Sequence, residues 1–382
     1  MDDDLADLRR RDLHRRRRLV RLREGSHVRL GGRDFVSFAS NDYLGLAGDP
    51  RLAREAARMA RRYGCGAGAS PLVSGYLAPH RALERDLARW EGVESALVFS
   101  SGFAANLALA GTLAGEGDAI FSDALNHASL IDGCRLARAR THIYRHADVN
   151  HLHDLLVRLG RSARRRVIVS ESVFSMDGDW APLPELADLA RRHDCSLLID
   201  EAHATGVFGA NGRGLAELLA FRSQANDFPI TVGTLSKALG AQGGFVAGTR
   251  RLIEWLVNRA RPYIFSTALA PPVAGAARRA VAIVAAEPER RARLLARAEF
   301  LRERLRASGY PASGSRSQIV PVVVGSARAA LELSQRLRRR GLLVPAIRPP
   351  TVPDGAARLR ISLTAMHSEE DVLRLVAALA DR

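Results

Sequence analysis

At 382 residues and 47% hydrophobic content the chain has an ordinary globular composition with room for two cores. No apolar run is long enough to cross a bilayer, and the start Met1-Asp2-Asp3-Asp4, followed by mixed leucine and arginine, has neither the apolar core of a signal peptide nor the acid-poor character of a presequence. The formal charge of +16 invites a polyanion, but aromatic residues make up only 5% and no zinc-finger or RNP-type segment accompanies the arginines, so neither nucleic acid nor a membrane is expected as partner.

The densest basic patch, residues 9–23, opens the chain. Leu5, Leu8, Leu19 and Leu22 predict an amphipathic surface helix from about residue 5 to 23 with these leucines turned inward. Short strands are expected near 28–30 and 35–39. From residue 95 apolar runs alternate with helical stretches: strands at 96–99, 119–122, 167–170, 196–199, 230–232 and 244–247, with helices from 103, from 128 and around 183–192. This alternation predicts a mostly parallel sheet covered on both faces. Ligands of such sheets collect at the carboxyl ends of strands. Those ends carry Ser100-Ser101-Gly102, Asp123 to His127, Glu171 to Ser175, Asp200 to His203, and Thr234 to Lys237. After Pro271-Pro272 a long Ala/Arg helical region to about 307 leads to a strand at 318–324, a helix near 327–339, a Pro-rich turn at 345–353, a strand at 358–363 and a last helix. The expected division is 1–40, joining a small α+β domain formed by 273–382, and a large domain over 41–272.

Three scattered cysteines, Cys65, Cys134 and Cys195, have neither metal-ligand spacing nor the even count of a disulfide framework, so no metal and a reducing cytoplasm are expected. The basic residues are more informative. Of 57 lysines and arginines, one alone is lysine: Lys237, in Gly233-Thr234-Leu235-Ser236-Lys237-Ala238-Leu239-Gly240. Arginine carries charge but does not deprotonate near neutral pH. A lysine offers a primary amine that can form an imine with a carbonyl. Asp200 lies 37 residues earlier, after the apolar run 197–199. A carboxylate at a strand end can hold the protonated ring nitrogen that makes pyridoxal 5'-phosphate (PLP) an electron sink. The Ser100-Ser101-Gly102-Phe103 turn before a helix could cradle a phosphate, and His127 could stack on a planar ring.

In combination and order, several stretches resemble the α-oxoamine synthase family of fold-type I PLP-dependent enzymes. They are Ser40-Asn41-Asp42-Tyr43-Leu44-Gly45-Leu46, residues 64–75, Ser101-Gly102-Phe103-Ala104-Ala105-Asn106, residues 123–129, 171–179, Asp200-Glu201-Ala202-His203-Ala204-Thr205-Gly206, and 233–240; the resemblance runs nearly the full length. It implies an α/β fold, with a large domain built on a mostly parallel seven-stranded sheet plus a smaller α+β domain. It further implies that Lys237 carries PLP and moves the substrate's Cα proton, that Asp200 holds the ring nitrogen, and that His127 stacks on the ring and meets substrate. Ser175 and His203 would lie near the phenolic oxygen, and Gly102, Phe103 and Thr234 would bind the phosphate. Lys237, His127, Asp200 and His203 form the implied catalytic set. Phe103 stands where the family often has tyrosine, so a hydroxyl contact is lost. Ser266 and Thr267 resemble the segment that reaches a partner subunit's phosphate, which implies a homodimer with shared sites.

Members of the family differ in amino acid and acyl donor. The form Ile347-Arg348-Pro349-Pro350-Thr351-Val352-Pro353 resembles the pimeloyl-using branch, which implies condensation of L-alanine with a pimeloyl thioester of CoA or acyl carrier protein. Glycine with acetyl-CoA is the alternative inside the family. Arg360 matches the arginine that grips the amino acid's carboxylate, a task suited to a bidentate fork. Arg15, Arg348 and Thr351 complete the implied substrate contacts.

Overall fold

The computed structural model describes residues 1–160, 162–219, 230–311 and 313–381. The chain divides into two compact units. One comprises Asp49–Phe174 and Trp180–Arg291; the other comprises Met1–Gly48, Ser175–Asp179 and Ala292–Arg382.

The first unit is built on a seven-stranded sheet. Its strands lie in the order Ser95–Phe99, Gly244–Gly248, Ile230–Thr234, Ser196–Asp200, Arg166–Glu171, Ala119–Asp123, Arg140–Tyr144. Only Gly244–Gly248 runs antiparallel to its neighbours; the remaining pairs are parallel. Leu97, Val169, Leu198, Val232 and Val246 from the sheet close a core with Ala105, Leu109 and Leu130 from the helices Gly102–Leu113 and Ala128–Leu136. Near-continuous apolar strands are what burial on both faces demands. The strand Arg140–Tyr144 escaped the sequence reading because it is an edge strand with a polar Arg-Thr-His start, and only Tyr144 is buried.

Two glycines set the spacing at the carboxyl end of this sheet. A Cβ on Gly244 would lie 2.5 Å from Cα and 2.6 Å from N of Gly102. A Cβ on Gly133 would lie 2.8 Å from Cβ of Ala110 and 3.0 Å from the carbonyl of Asn106. The first keeps the N-terminus of helix Gly102–Leu113 tight on the sheet; the second lets helix Ala128–Leu136 close on that helix.

The second unit contains a four-stranded sheet in the order Val20–Glu24, His27–Leu30, Arg33–Ser37, Leu342–Leu343, and a three-stranded sheet in the order Ile319–Gly325, Ala357–Ser362, Ala346–Ile347. Helices Ala327–Arg339 and Glu369–Ala380 accompany them, the latter opened by a capping box between Ser368 and Asp371.

The long N-terminal helix is corrected by the structure. The helix covers only Asp2–Arg10. The chain then passes through positive φ at Asp12, buries Leu13, and forms the wholly exposed strand Val20–Glu24. Leu19 and Leu22 are 73% and 50% exposed rather than turned inward. Residues 20–24 gain strand hydrogen bonds from His27–Leu30 across a turn at Gly25, whose φ is 57°, and this local pairing overrides the helical spacing. The helical region expected after Pro271 consists of two helices, Pro271–Ala286 and Pro288–Ala307, since Pro288 has no N–H to continue the ladder. The first packs on helices Pro50–Tyr63 and Ala78–Glu91. That packing groups it with the larger unit, so compactness divides the chain at 48 and 291, where the sequence reading divides it at 40 and 272.

Gly244→Ala should lower stability by about 1–3 kcal/mol, because the new methyl meets backbone and neither partner can rotate away. Urea denaturation checks this against Gly66→Ala, where a Cβ meets nothing within 4 Å and the change should stay within about 0.5 kcal/mol.

Candidate active site

In the larger unit the expected residues gather at the carboxyl ends of neighbouring parallel strands. Asp200 closes the strand Ser196–Asp200 and is 5% exposed. Its Oδ1 accepts from the backbone N–H of Ala202 at 2.8 Å and its Oδ2 from Nδ2 of Asn106 at 2.6 Å. Both donors are neutral, so the buried carboxylate has hydrogen bonds but no ion pair among the described residues. The same Asn106 nitrogen lies 2.9 Å from Oγ of Ser129, which lies 2.7 Å from Nδ1 of His127. The Oδ1 of Asn106 is buried without a partner, an arrangement that costs about 1–3 kcal/mol. The His127 pKa is lowered, chiefly by partial desolvation of its ring, against the pull of the Asp200 carboxylate. Phe103 meets this imidazole edge-on, with ring centroids 6.4 Å apart.

Lys237 follows the strand Ile230–Thr234, the neighbour of Ser196–Asp200. Its Nζ lies 2.8 Å from Nε2 of His203, which is 5% exposed. At the end of the same strand Oγ1 of Thr234 donates to the carbonyl of Gly243 at 3.1 Å and lies 2.8 Å from Oγ of Ser236. A Cβ on Gly102 would come within 3.4 Å of that Thr234 oxygen. Gly102 begins a 12-residue helix whose Ser101 cap accepts from the N–H of Ala104. A helix N-terminus with a threonine hydroxyl beside it suits an anion, through backbone N–H groups that the helix leaves unpaired. Ser266 and Thr267 stand elsewhere in this unit, beside Tyr76, His80 and Glu84 along a small crevice.

In the smaller unit Arg360 is buried on the central strand Ala357–Ser362. Its Nε donates to the Ser175 carbonyl at 2.6 Å, and one terminal nitrogen donates to Asn41 Oδ1 at 3.1 Å and Ser362 Oγ at 2.5 Å. The other terminal nitrogen has only a 3.4 Å contact with the Tyr43 hydroxyl. The guanidinium is thus locked from one side, with a donor edge left for a carboxylate. Arg348 donates to the carbonyl of Asp12, Arg15 reaches the carbonyl of Pro349 at 3.4 Å, and the N–H of Thr351 bonds the carbonyl of Arg348 at 3.1 Å. Arg15 therefore shares one corner with Arg348 and Thr351, which lie more than 300 residues later in the sequence.

Sequence reasoning missed three supporting residues. Asn41 and Tyr43 orient Arg360, and their signal was the Ser40 to Leu46 motif, read only as a resemblance. Asn106 links Asp200 to Ser129; its signal was a lone amide among Ala104, Ala105, Leu107 and Ala108 on a buried helix face.

The aminotransferase class I and II family model matches residues 33–379. The 8-amino-7-oxononanoate synthase of Anaeromyxobacter dehalogenans is 52% identical over 357 residues, which cover 94% of this chain and 88% of that protein. A solved structure of SPT with PLP superimposes with a TM-score of 0.91 at 32% identity, over 95% of this chain and 91% of that one. The 8-amino-7-oxononanoate synthase from Francisella tularensis superimposes with a TM-score of 0.79 at 31% identity, over 91% of this chain and 97% of that one.

Proposed function

The chain belongs to the aminotransferase class I and II family, with the α/β architecture of the fold-type I PLP-dependent enzymes, and from that premise we propose that it catalyses the 8-amino-7-oxononanoate synthase reaction of biotin biosynthesis. This reaction joins the Cα of L-alanine to the carbonyl carbon of a pimeloyl thioester and releases the thiol and carbon dioxide. One observation carries the reading: the sole lysine of the chain follows the strand beside the one that ends in a buried carboxylate held, among the described residues, by neutral donors.

The donor set fits PLP. Asp200 offers a negative charge suited to a protonated ring nitrogen, and the helix N-terminus at Gly102, with the Thr234 hydroxyl beside it, suits a phosphate. When bound, PLP supplies a carbonyl for an amine and a protonated ring that draws in the electron pair of a Cα bond. The chain's own residues do the rest. Asp200 keeps the proton on the ring nitrogen. His127 covers the ring and meets substrate, and its depressed pKa keeps it neutral at pH 7. The backbone at Gly102 and Phe103, with Thr234, takes the phosphate; Ser175 and His203 are assigned to the phenolic oxygen. Lys237 Nζ removes and returns the alanine Cα proton, a transfer that general base catalysis accelerates by about 10²–10⁴. Arg360 takes the alanine carboxylate; Arg15, Arg348 and Thr351 are assigned to the pimeloyl substrate. Ser266 and Thr267 would complete a partner's phosphate site in a homodimer. We assign the reaction to a reducing cytoplasm, which suits a chain whose three cysteines are all free.

Borohydride treatment of the PLP-loaded protein should fix the cofactor to the single peptide containing Lys237, read by mass spectrometry. Labelling that survives Lys237→Ala removes the proposal.

Arg360→Lys keeps the charge but loses the planar fork. The alanine KM should rise roughly tenfold to a hundredfold, the equivalent of one charge-assisted hydrogen bond. Steady-state kinetics with alanine and glycine check the substrate at the same time. A clear preference of the parent protein for glycine transfers the assignment to another α-oxoamine synthase, such as one using glycine and acetyl-CoA.

Acyl carrier protein is the proposed physiological donor, since Arg16, Arg17 and Arg18 are exposed beside the corner that holds Arg15 and Arg348. An acidic carrier would be steered by that charge, and steering weakens as salt rises. Activity with pimeloyl-acyl carrier protein should fall more steeply with salt than with pimeloyl-CoA, and should fall selectively when Arg16, Arg17 and Arg18 are changed to serine. Equal responses of both donors leave these arginines without a docking role.

A further inference from the structure

We propose that Asn106 is a positioning residue that fixes His127 in a single tautomer, with its proton on Nε2, and ties that choice to the anionic state of Asp200. The cofactor roles of His127 and Asp200 rest on the reading above; the hydrogen-bond chain does not.

The assignment follows from counting protons along the chain. The Nδ2 of Asn106 has two hydrogens and two acceptors in reach, Oδ2 of Asp200 and Oγ of Ser129. Turning the amide over would set its oxygen against the Asp200 carboxylate, so its orientation is fixed by the charge. A hydroxyl that accepts from Asn106 has its own proton free to donate, and the neighbour at 2.7 Å is Nδ1 of His127. The backbone N–H of Ser129 points at the same nitrogen from 3.3 Å. With two donors facing it, Nδ1 is the acceptor and the ring proton sits on Nε2.

The direction of the chain matters for charge as well. An imidazolium would need Nδ1 to donate, which collides with both Ser129 donors. The fixed hydroxyl therefore works in the same direction as desolvation and the Lys237 ammonium, and against the carboxylates of Asp200 and Asp132. Asn106 reaches both partners because Gly133 brings its helix to within backbone contact of the helix that begins after His127. At the far end the amide gives Asp200 a donor without a positive charge, which leaves the carboxylate's charge for a cationic partner.

The test uses ring-15N-histidine-labelled full-length protein without added PLP, with the His127 signal identified by its loss in His127→Gln. The parent should show one protonated nitrogen, Nε2. In Asn106→Ala the Ser129 hydroxyl is released, so an Nδ1–H form should appear and the titration midpoint should rise by about 0.5–1 pH unit, the scale of one hydrogen bond. Ser129→Ala should also raise it, and the double variant should shift no further than the larger single change, since both substitutions break one chain. Should Asn106→Ala fail to fold, Ser129→Ala and Asn106→Ser carry the test. An unchanged tautomer and midpoint in a folded Asn106 variant, or additive shifts in the double variant, overturns the proposal. In the PLP-loaded protein the loss in Asn106→Ala should appear in kcat rather than in the alanine KM. A protein that passes the tautomer test but does not take PLP at Lys237 would sink the functional reading and leave this inference standing.

Discussion

A carboxylate buried at the end of a central strand, with no cationic partner among the described residues, is the constraint around which the larger unit is arranged. Burying a charge is costly unless it is hydrogen-bonded or paired. Asp200 has the hydrogen bonds and lacks the pair, so the surrounding elements must bring neutral donors to it and keep a space where a cation can stand. One donor comes from the turn after the strand, at Ala202, and the other from the helix Gly102–Leu113, at Asn106. The neighbouring acid shows the contrast. Glu201 is 1% exposed, and its oxygens accept from the Ser172 hydroxyl and the backbone N–H groups of Leu215 and Ala216. It anchors a loop, whereas Asp200, one residue earlier on the alternating strand, faces the site. Two adjacent acids thus have separate tasks because successive side chains of a strand point to opposite faces.

The central sheet was readable because its buried strands are continuous Val/Ile/Leu runs and its functional residues follow those runs directly. Lys237 was readable for a different reason: arginine occupies every other basic position, so the one place that requires a deprotonatable amine stands out. What the sequence concealed depends on contacts between distant segments. Nothing local marks Arg140–Tyr144 as a strand, since its edge position exposes most of its side chains. The leucines at 19 and 22 have helical spacing, yet hairpin pairing with residues 27–30 decides their conformation. Asn106 looks like an ordinary polar residue in a helix until Gly133 and Ser129 are placed against it. The corner formed by Arg15, Arg348 and Thr351 could not be read from spacing, because more than 300 residues separate Arg15 from the other two.

The arginines also divide by physical role. Many form exposed pairs one helical turn apart, such as Arg58 with Glu55 and Arg135 with Asp132, and such pairs contribute little to stability. A few are structural forks. Arg360 gathers three segments of the smaller unit, Arg358 pairs with Asp177, and Arg51 bridges Asp49 and Glu287 in the larger one, where both carboxyls are held down at about 2. Lysine, a point charge, would not satisfy these multi-acceptor positions in the same way.

The path of the chain has a consequence for how the protein is made. The smaller unit is assembled from the first 48 residues, a five-residue excursion at Ser175–Asp179, and everything after Ala292. During synthesis, the strand Arg33–Ser37 emerges roughly 300 residues before its neighbour Leu342–Leu343. At roughly 5–20 residues per second the opening segment waits on the order of tens of seconds before its sheet can close. Throughout that interval Phe35, Val36 and Phe38, which end fully buried, have no finished core to enter. The arginines around that waiting hairpin keep it charged and slow to associate with others of its kind.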